Sequence, residues 1–304
     1  MSDVAKRPDE GRAGRNVGGL RAHALRVLGL VLALWIGASW TAERQTFHPR
    51  RWNDGPVPSA FGWAYRDVSF RDSAGLVLRG WWIPGVRDQT VVMVHGWTSS
   101  RREPMGRAAY LHAAGYNLLV FDLRGHGSSD GGYTTLGWAE PDDVRAAVRF
   151  ARTQSPGPIA LIGYSMGAAA VVEAAAVAGV QAVVEDSGFA TALDVVRWTF
   201  TRISGLPANP FADPLLALSA ADLGIDLARI RPIDAAARLT VPLLAIVGTA
   251  DTLVPPSQGY ALYHAALGPK ELFVVPGAGH VAGYSADPQR YGQVVLDFLA
   301  THLG

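Results

Sequence analysis

The chain has 304 residues, 49% of them hydrophobic and 17% charged, which suits one large α/β domain with a sizeable core and excludes a largely disordered chain. Lys and Arg number 27 against 26 Asp and Glu, a balance that excludes the basic surface expected of a nucleic-acid binder. There is no cysteine, so disulfides, thiolate catalysis and cysteine-held metals are excluded and the redox compartment stays open.

Residues 1–26 are rich in Gly and Arg, with six basic residues (Lys6, Arg7, Arg12, Arg15, Arg21, Arg26) against Asp3, Asp9 and Glu10. A segment of this kind buries too little apolar surface to order itself, and a disordered basic tail is expected. Residues 27–42 (VLGLVLALWIGASWTA) then run for 16 positions without a charge. As a helix they would span roughly 24 Å, a little short of the ~30 Å core of a bilayer. Snorkelling by Arg26 and interfacial seating of Trp40 would close the difference. Three readings compete. A signal-anchor helix is favoured. A signal peptide cleaved near Gly37-Ala38-Ser39 would leave a secreted domain. An amphipathic or buried helix is disfavoured, because no polar face is visible. Basic residues before the stretch outnumber Arg44, Arg50 and Arg51 after it, so the positive-inside rule puts the N-terminus in the cytoplasm and the main domain outside.

Residues 43–63 contain Pro49, Pro56 and Pro58 and read as a linker to a domain over residues 64–304. Residues 65–71 and 76–83 read as two strands joined at Asp72-Ser-Ala-Gly75, a hairpin signal. Short apolar runs follow at 90–94 (TVVMV), 117–121 (NLLVF), 158–162 (PIALI), 182–184 (AVV), 242–247 (PLLAIV) and 271–275 (ELFVV). They lack alternation, as parallel strands covered on both faces do. Helix-compatible segments lie between and after them, at about 102–114, 138–153, 166–178, 257–267 and 287–302. This rhythm predicts a doubly wound α/β sheet opened by an antiparallel hairpin. Residues 189–237 break the rhythm with no good strand, and an insertion of that length is expected to form a helical lid over a site, the alternative being a packed helical connection. Its apolar residues Trp198, Phe200, Leu206, Phe211, Leu215 and Leu216 are candidates to line an acyl pocket, with packing against the core as the alternative.

Residues 163–167 (GYSMG) are a G-x-S-x-G motif with an apolar strand before it and the helical run AAAVVEAAAVA after it. The serine belongs at the apex of a tight strand-to-helix turn, where side chains two positions away on either side would clash. The turn exposes the Ser165 hydroxyl, and the following helix aims its N-terminus at the same place. A serine needs a base. His280, in the PGAGH loop after residues 271–275, can reach Ser165; His264 sits in a helical pattern and His302 at the end of the chain. The acid that orients the base is expected at Asp251, in the GTAD loop after residues 242–247, with Asp186 as the competitor. Backbone N–H groups of Trp97 and Met166 are expected to form the oxyanion hole. His95 is expected to be structural, and Arg124, His126 and Asp130 to brace a loop. No metal is expected, since there is no H-E-x-x-H and no tight His/Asp cluster in the sequence.

HGW at 95–97, DLRGHGSSDG at 122–131, GYSMG at 163–167, GTADTLVP at 248–255 and GAGH at 277–280 together resemble the α/β-hydrolase superfamily, over roughly residues 65–302. With the N-terminal apolar helix, the helical insertion and the phrase VVEDSGFA, the chain is similar to membrane-anchored members and to the serine-aminopeptidase-like or lysophospholipase-like branch. The resemblance implies an eight-stranded, mostly parallel sheet with a lid after the sixth strand, and no cofactor. It implies acyl transfer by Ser165, His280 and Asp251 on a small-molecule acyl ester or lipid. A peptidase or amidase is the second reading and would need carboxylates for a substrate amine, for which Asp213, Asp222 and Asp226 are the candidates. A non-catalytic binding protein on this fold is the third.

Overall fold

The computed structural model describes residues 11–304. In chain order it contains α1 (Gly11–Phe47), β1 (Arg66–Arg71), β2 (Val77–Ile83), β3 (Thr90–Val94), α2 (Met105–Ala113), β4 (Asn117–Phe121), α3 (Glu140–Gln154), β5 (Ile159–Tyr164), α4 (Met166–Ala178) and β6 (Ala182–Asp186). The insertion follows as α5 (Ala192–Ser204), α6 (Ala208–Phe211), α7 (Asp213–Leu223) and α8 (Pro232–Ala236), and the chain ends with β7 (Leu243–Gly248), α9 (Pro256–Ala265), β8 (Lys270–Val275), α10 (Gly283–Ala286) and α11 (Pro288–Leu303).

The eight strands form one sheet in the order β1-β2-β4-β3-β5-β6-β7-β8. β2 is antiparallel to both β1 and β4, and the remaining pairs are parallel. The central strands read as unbroken apolar runs because both faces are covered. Successive residues go to opposite cores: Val92, Leu119, Leu161 and Val183 pack on the side of α3 and α4, while Met93, Val120, Ile162 and Val184 pack on the side of α2 and α11. Each such side chain contributes about 1.5–3 kcal/mol on burial. Local signals set the helix ends. Glu140, Asp142 and Asp143 occupy the first turn of α3, Gly179 ends α4 in the left-handed region, and the Asp287 side chain accepts from the Arg290 N–H ahead of α11.

The N-terminal region departs from the expected tail, helix and linker. Of the tail expected over residues 1–26, residues 1–10 lie outside the described residues, and the chain from Gly11 is helical. The same helix runs on past residue 42 to Phe47, so the linker is shorter than residues 43–63. Composition alone marked only the uncharged stretch, but a helix formed there propagates readily through the Leu, Arg and Ala of residues 20–26 and the Glu, Arg and Gln of residues 43–45. The far end is also held by packing. Ser39, Glu43 and Phe47, spaced four apart, are buried on the face turned to the domain, with Trp35 half-buried one turn earlier. Over Leu20–Phe47 the helix is long and apolar enough to cross a membrane by length and composition.

Candidate active site

The strand register brings the expected residues to one edge of the sheet. Val94 of β3 is paired with Gly163 of β5, Tyr164 of β5 with Asp186 of β6, and Gly248 of β7 with Val275 of β8. The C-terminal ends of β3, β5, β6, β7 and β8 therefore lie side by side, with His95–Trp97, Ser165, Asp251 and His280 just after β3, β5, β7 and β8 and Asp186 as the last residue of β6.

Ser165 sits between β5 and α4 at φ 54°, ψ −119°, a conformation that a non-glycine residue adopts only when its surroundings impose it. The two flanking glycines give the reason. A Cβ on Gly163 would overlap the carbonyl of Gly167, and a Cβ on Gly167 would overlap the carbonyls of Val94 and His95. These neighbours are backbone and cannot swing aside. Gly167→Ala is expected to lower stability by about 3 kcal/mol or more, the upper end for overpacking. Gly106→Ala, in α2 with open space around the added methyl, is expected to raise it by roughly 0.5–1 kcal/mol through helix propensity. Thermal unfolding of the two variants in parallel checks both signs.

His280 Nε2 lies 2.8 Å from Ser165 Oγ, and His280 Nδ1 lies 2.7 Å from Asp251 Oδ2. The other carboxylate oxygen of Asp251 accepts from the N–H groups of Leu253 and Val254, each at 2.9 Å. Asp251 is buried, while Ser165 and His280 are partly open to solvent. Hydroxyl, imidazole and carboxylate in series can pass a proton from Oγ to Nε2. The helix N-terminus beside Ser165 favours negative charge there, and Met166, as the first residue of α4, has an N–H with no intrahelical partner. Gly96 brings the loop after β3 against the serine: a Cβ there would lie 3.2 Å from Ser165 Cβ. Trp97 follows, with its indole N–H donating to the Thr46 carbonyl at the end of α1, 2.8 Å away.

Asp186, the competing acid, faces elsewhere. Its Oδ2 accepts from Tyr291 OH at 2.8 Å and its Oδ1 from Ser187 Oγ at 3.0 Å, while its backbone carbonyl accepts from the Ser165 N–H at 2.9 Å. Burial raises its carboxyl above the usual range, and the charge of Arg107 opposes that rise. His95 is buried and locked: its Nε2 accepts from the Leu123 N–H at 3.0 Å, so Nδ1 carries the proton toward the Gly96 carbonyl at 2.7 Å. His126, 5.1 Å from His95 between ring centroids, is depressed to about 4 by burial and then by that neighbour, so it is neutral near pH 7. Arg124 grips Asp143 and Asp72, and Asp130 pairs with Arg79 at 2.8 Å. These contacts brace the loop after β4.

The lid candidates scatter. Trp198 donates from Nε1 to the Thr252 carbonyl at 3.1 Å, next to Asp251 in sequence. Phe200 is half-buried and Leu206 exposed. Phe211 has its ring 5.8 Å from that of Trp35 in α1. Of the carboxylates considered for a substrate amine, Asp222 pairs with Arg44 and Asp226 caps the turn at Leu227–Arg229. Among the described residues, Glu43, His48 and Asp222 bring ligand-type atoms within 4.8 Å of one another. Arg44 already stands there, 3.2 Å from His48 Nε2 and 3.4 Å from Asp222 Oδ2, and fills the place with its own positive charge.

Two residues of the α2 region, Glu103 and Arg107, brace the site without a motif to mark them. Glu103 accepts from the Gly96 N–H at 2.9 Å, and Arg107 donates to the Val281 carbonyl at 2.8 Å while lying over the Tyr164 ring. They hold the loops on both sides of Ser165. Their only sequence signal is an i,i+4 acid–base pair, which solvated helices share.

Glu185, beneath this edge, is fully buried with Oε1 unpartnered and Oε2 accepting from the Gly188 N–H at 2.9 Å. Burial pushes its carboxyl up to about 8. The folded chain thus keeps a proton that the unfolded chain releases, so the contribution of Glu185 to stability is full below the ordinary carboxyl range and is lost as pH rises toward 8. Each pH unit in that window costs up to about 1.4 kcal/mol. Glu185→Gln is expected to flatten the fall in melting temperature between pH 5 and pH 9, read by calorimetry beside the parent.

Comparison with known proteins agrees with the fold. Residues 91–294 match the model of the alpha/beta hydrolase family. An uncharacterised Mycobacterium tuberculosis protein, Rv2307c, is 32% identical over 93% of this chain and 96% of its own length. The uncharacterised Escherichia coli protein YfhR is 28% identical over 82% of this chain and 84% of its own. Among solved structures, the Pyrococcus furiosus esterase Pf2001 superposes with a TM-score of 0.72 at 29% identity, covering 85% of this chain and 99% of the esterase. The chain belongs to the α/β-hydrolase family, and its eight-stranded sheet with a helical insertion after β6 is the fold of that family.

Proposed function

We propose that the protein is a serine hydrolase of carboxylic esters that works through an acyl-enzyme. The observation that carries this reading is the bridge made by His280 between Ser165 Oγ at 2.8 Å and Asp251 Oδ2 at 2.7 Å. Ser165 Oγ attacks the ester carbonyl as its proton passes to His280 Nε2. Asp251 holds the imidazole with its proton on Nδ1 and stabilises the imidazolium. The N–H groups of Trp97 and Met166 receive the oxyanion, each contributing on the order of 3 kcal/mol in the transition state. His280 then protonates the leaving alkoxide, and a water molecule, deprotonated by the same imidazole, releases the acid and restores Ser165.

An ester is favoured over a substrate with a free amine. Asp222 and Asp226, two of the carboxylates available for an amine, are engaged with Arg44 and with a turn N–H. The similarity to an esterase at 29% identity points the same way. α1 serves as a membrane anchor, with the hydrolase domain on the extracytoplasmic side by the balance of basic residues around the apolar stretch. The test is hydrolysis of p-nitrophenyl esters from acetate to palmitate by the full chain in detergent, with fluorophosphonate labelling alongside. Ester turnover and labelling blocked by pre-incubation with substrate are expected; labelling with no turnover of any ester, but of an aminoacyl anilide, would move the assignment to an amidase.

A further inference from the structure

Helix α1 packs on α7 of the lid. Arg44 reaches Asp222 of α7 at 3.4 Å, and both side chains are about half exposed, so this pair belongs in water. Deeper along the helix, Trp35 donates from Nε1 to the Phe211 carbonyl at 3.1 Å, ring against ring. Trp35 is nine residues nearer the N-terminus than Arg44, which at 1.5 Å per residue places it about 13 Å lower along the axis. Trp40, exposed between the two levels, is the residue type that sits at a membrane interface. A bilayer spanned by α1 therefore has its polar boundary between Trp40 and Arg44, and Phe211 lies below that boundary.

The lid segment leading to Phe211 has the surface that such a depth requires. Residues 203–212 (ISGLPANPFA) carry no charge. Ile203 is 81% exposed and Leu206 44% exposed, at the end of α5 and in the turn to α6. The exposed apolar surface of α1, which includes Leu28, Leu34 and Ile36, meets the lid at the Trp35–Phe211 contact, and Leu206 precedes Phe211 in the same uncharged segment. The serine edge is tied to the same helix end, because Trp97 donates to the Thr46 carbonyl and Gly96 closes on Ser165.

We propose that the α5–α6 turn of the lid, centred on Ile203 and Leu206, is seated in the bilayer spanned by α1, and that the site takes a lipid ester from that bilayer. The choice of substrate rests on the esterase reading; the seating does not. Interfacial segments of this kind bury their apolar face about 5–10 Å into the headgroup and acyl boundary, which agrees with the level of Phe211.

The chain has no cysteine, so single cysteines can be introduced and labelled cleanly. The full chain carrying Ile203→Cys, labelled with an environment-sensitive nitrobenzoxadiazole and reconstituted in phosphatidylcholine vesicles, is compared with Val86→Cys. Val86 is 95% exposed in the loop before β3, at the opposite edge of the sheet. Blue-shifted emission at 203, quenched by acyl-chain nitroxide lipids, with water-like emission at 86, is the expected result. Water-like emission at 203 overturns the seating, and so does blue-shifted emission without lipid quenching, which would mean that protein covers the turn. Ile203→Glu is expected to lower hydrolysis of a diacylglycerol carried in the vesicles at least about tenfold, with p-nitrophenyl acetate within about twofold. Equal loss on both substrates, or no loss on either, overturns lipid delivery. A parent protein that hydrolyses neither ester while the 203 label is quenched by lipid refutes the esterase reading and leaves the seating supported.

Discussion

Ser165→Ala is expected to lower kcat on a p-nitrophenyl ester by about ten-thousandfold to a millionfold, with KM little changed. In the proposed mechanism the Oγ is the atom that forms the acyl bond, and the hydroxyl of Ser187 is held away from that role, donating to Asp186 Oδ1 and accepting from the Val281 N–H. Alanine keeps the Cβ, so the turn at φ 54° keeps its geometry, and the loss of one partly exposed hydrogen bond changes stability by about 1 kcal/mol or less. Residual catalysis, where measurable, would come from the oxyanion donors and from binding, which survive the substitution. Burst kinetics should vanish with the steady-state rate. A variant that keeps a tenth or more of the parent rate on a purified, folded sample would show that Ser165 is not the nucleophile and that the bridge to His280 is structural.

Most of the sheet was legible because buried parallel strands leave a plain mark: TVVMV, NLLVF and PIALI have no polar alternation and are bounded by turn residues. β3 and β4 begin and end where those runs do, and β5 extends PIALI by two residues into the elbow itself. The elbow was legible for a physical reason also, since only glycine fits at 163 and 167 once the turn is formed. Two kinds of information were missing. Contacts between segments distant in sequence have no local signature, so the grip of Glu103 on Gly96 and of Trp97 on Thr46 could not be read. The extent of α1 has no composition signal because its ends are polar, and what holds its last turns is the burial of Ser39, Glu43 and Phe47 against the domain. The acyl-pocket candidates suffered similarly: aromatic content marked the insertion, but the ring of Phe211 went to α1, 176 residues from its partner Trp35.

Asp251→Asn is expected to lower kcat about ten-thousandfold, whereas Asp186→Asn should stay within roughly tenfold of the parent. Asp186 ends β6 and Asp251 follows β7 at the same edge of the sheet as Ser165, so sequence position does not separate them, but their hydrogen bonds do. Asp251 Oδ1 is held by the Leu253 and Val254 N–H groups, which fixes Oδ2 toward His280 Nδ1. In the asparagine variant those two donors capture the amide oxygen, and the NH2 is left facing the imidazole. Nδ1 must then accept, the ring proton moves to Nε2, and the nitrogen beside Ser165 can no longer take the hydroxyl proton. The loss therefore falls on kcat, with fold and substrate binding preserved. Asp186 has its oxygens on Tyr291 and Ser187, and an asparagine oxygen can keep one of them. Its part is to hold Ser187, whose Oγ accepts from the Val281 N–H next to His280. Measuring both variants with one ester, beside circular dichroism to confirm folding, decides the assignment. Equal losses, or a deeper loss in Asp186→Asn, would move the orienting carboxylate from β7 to β6.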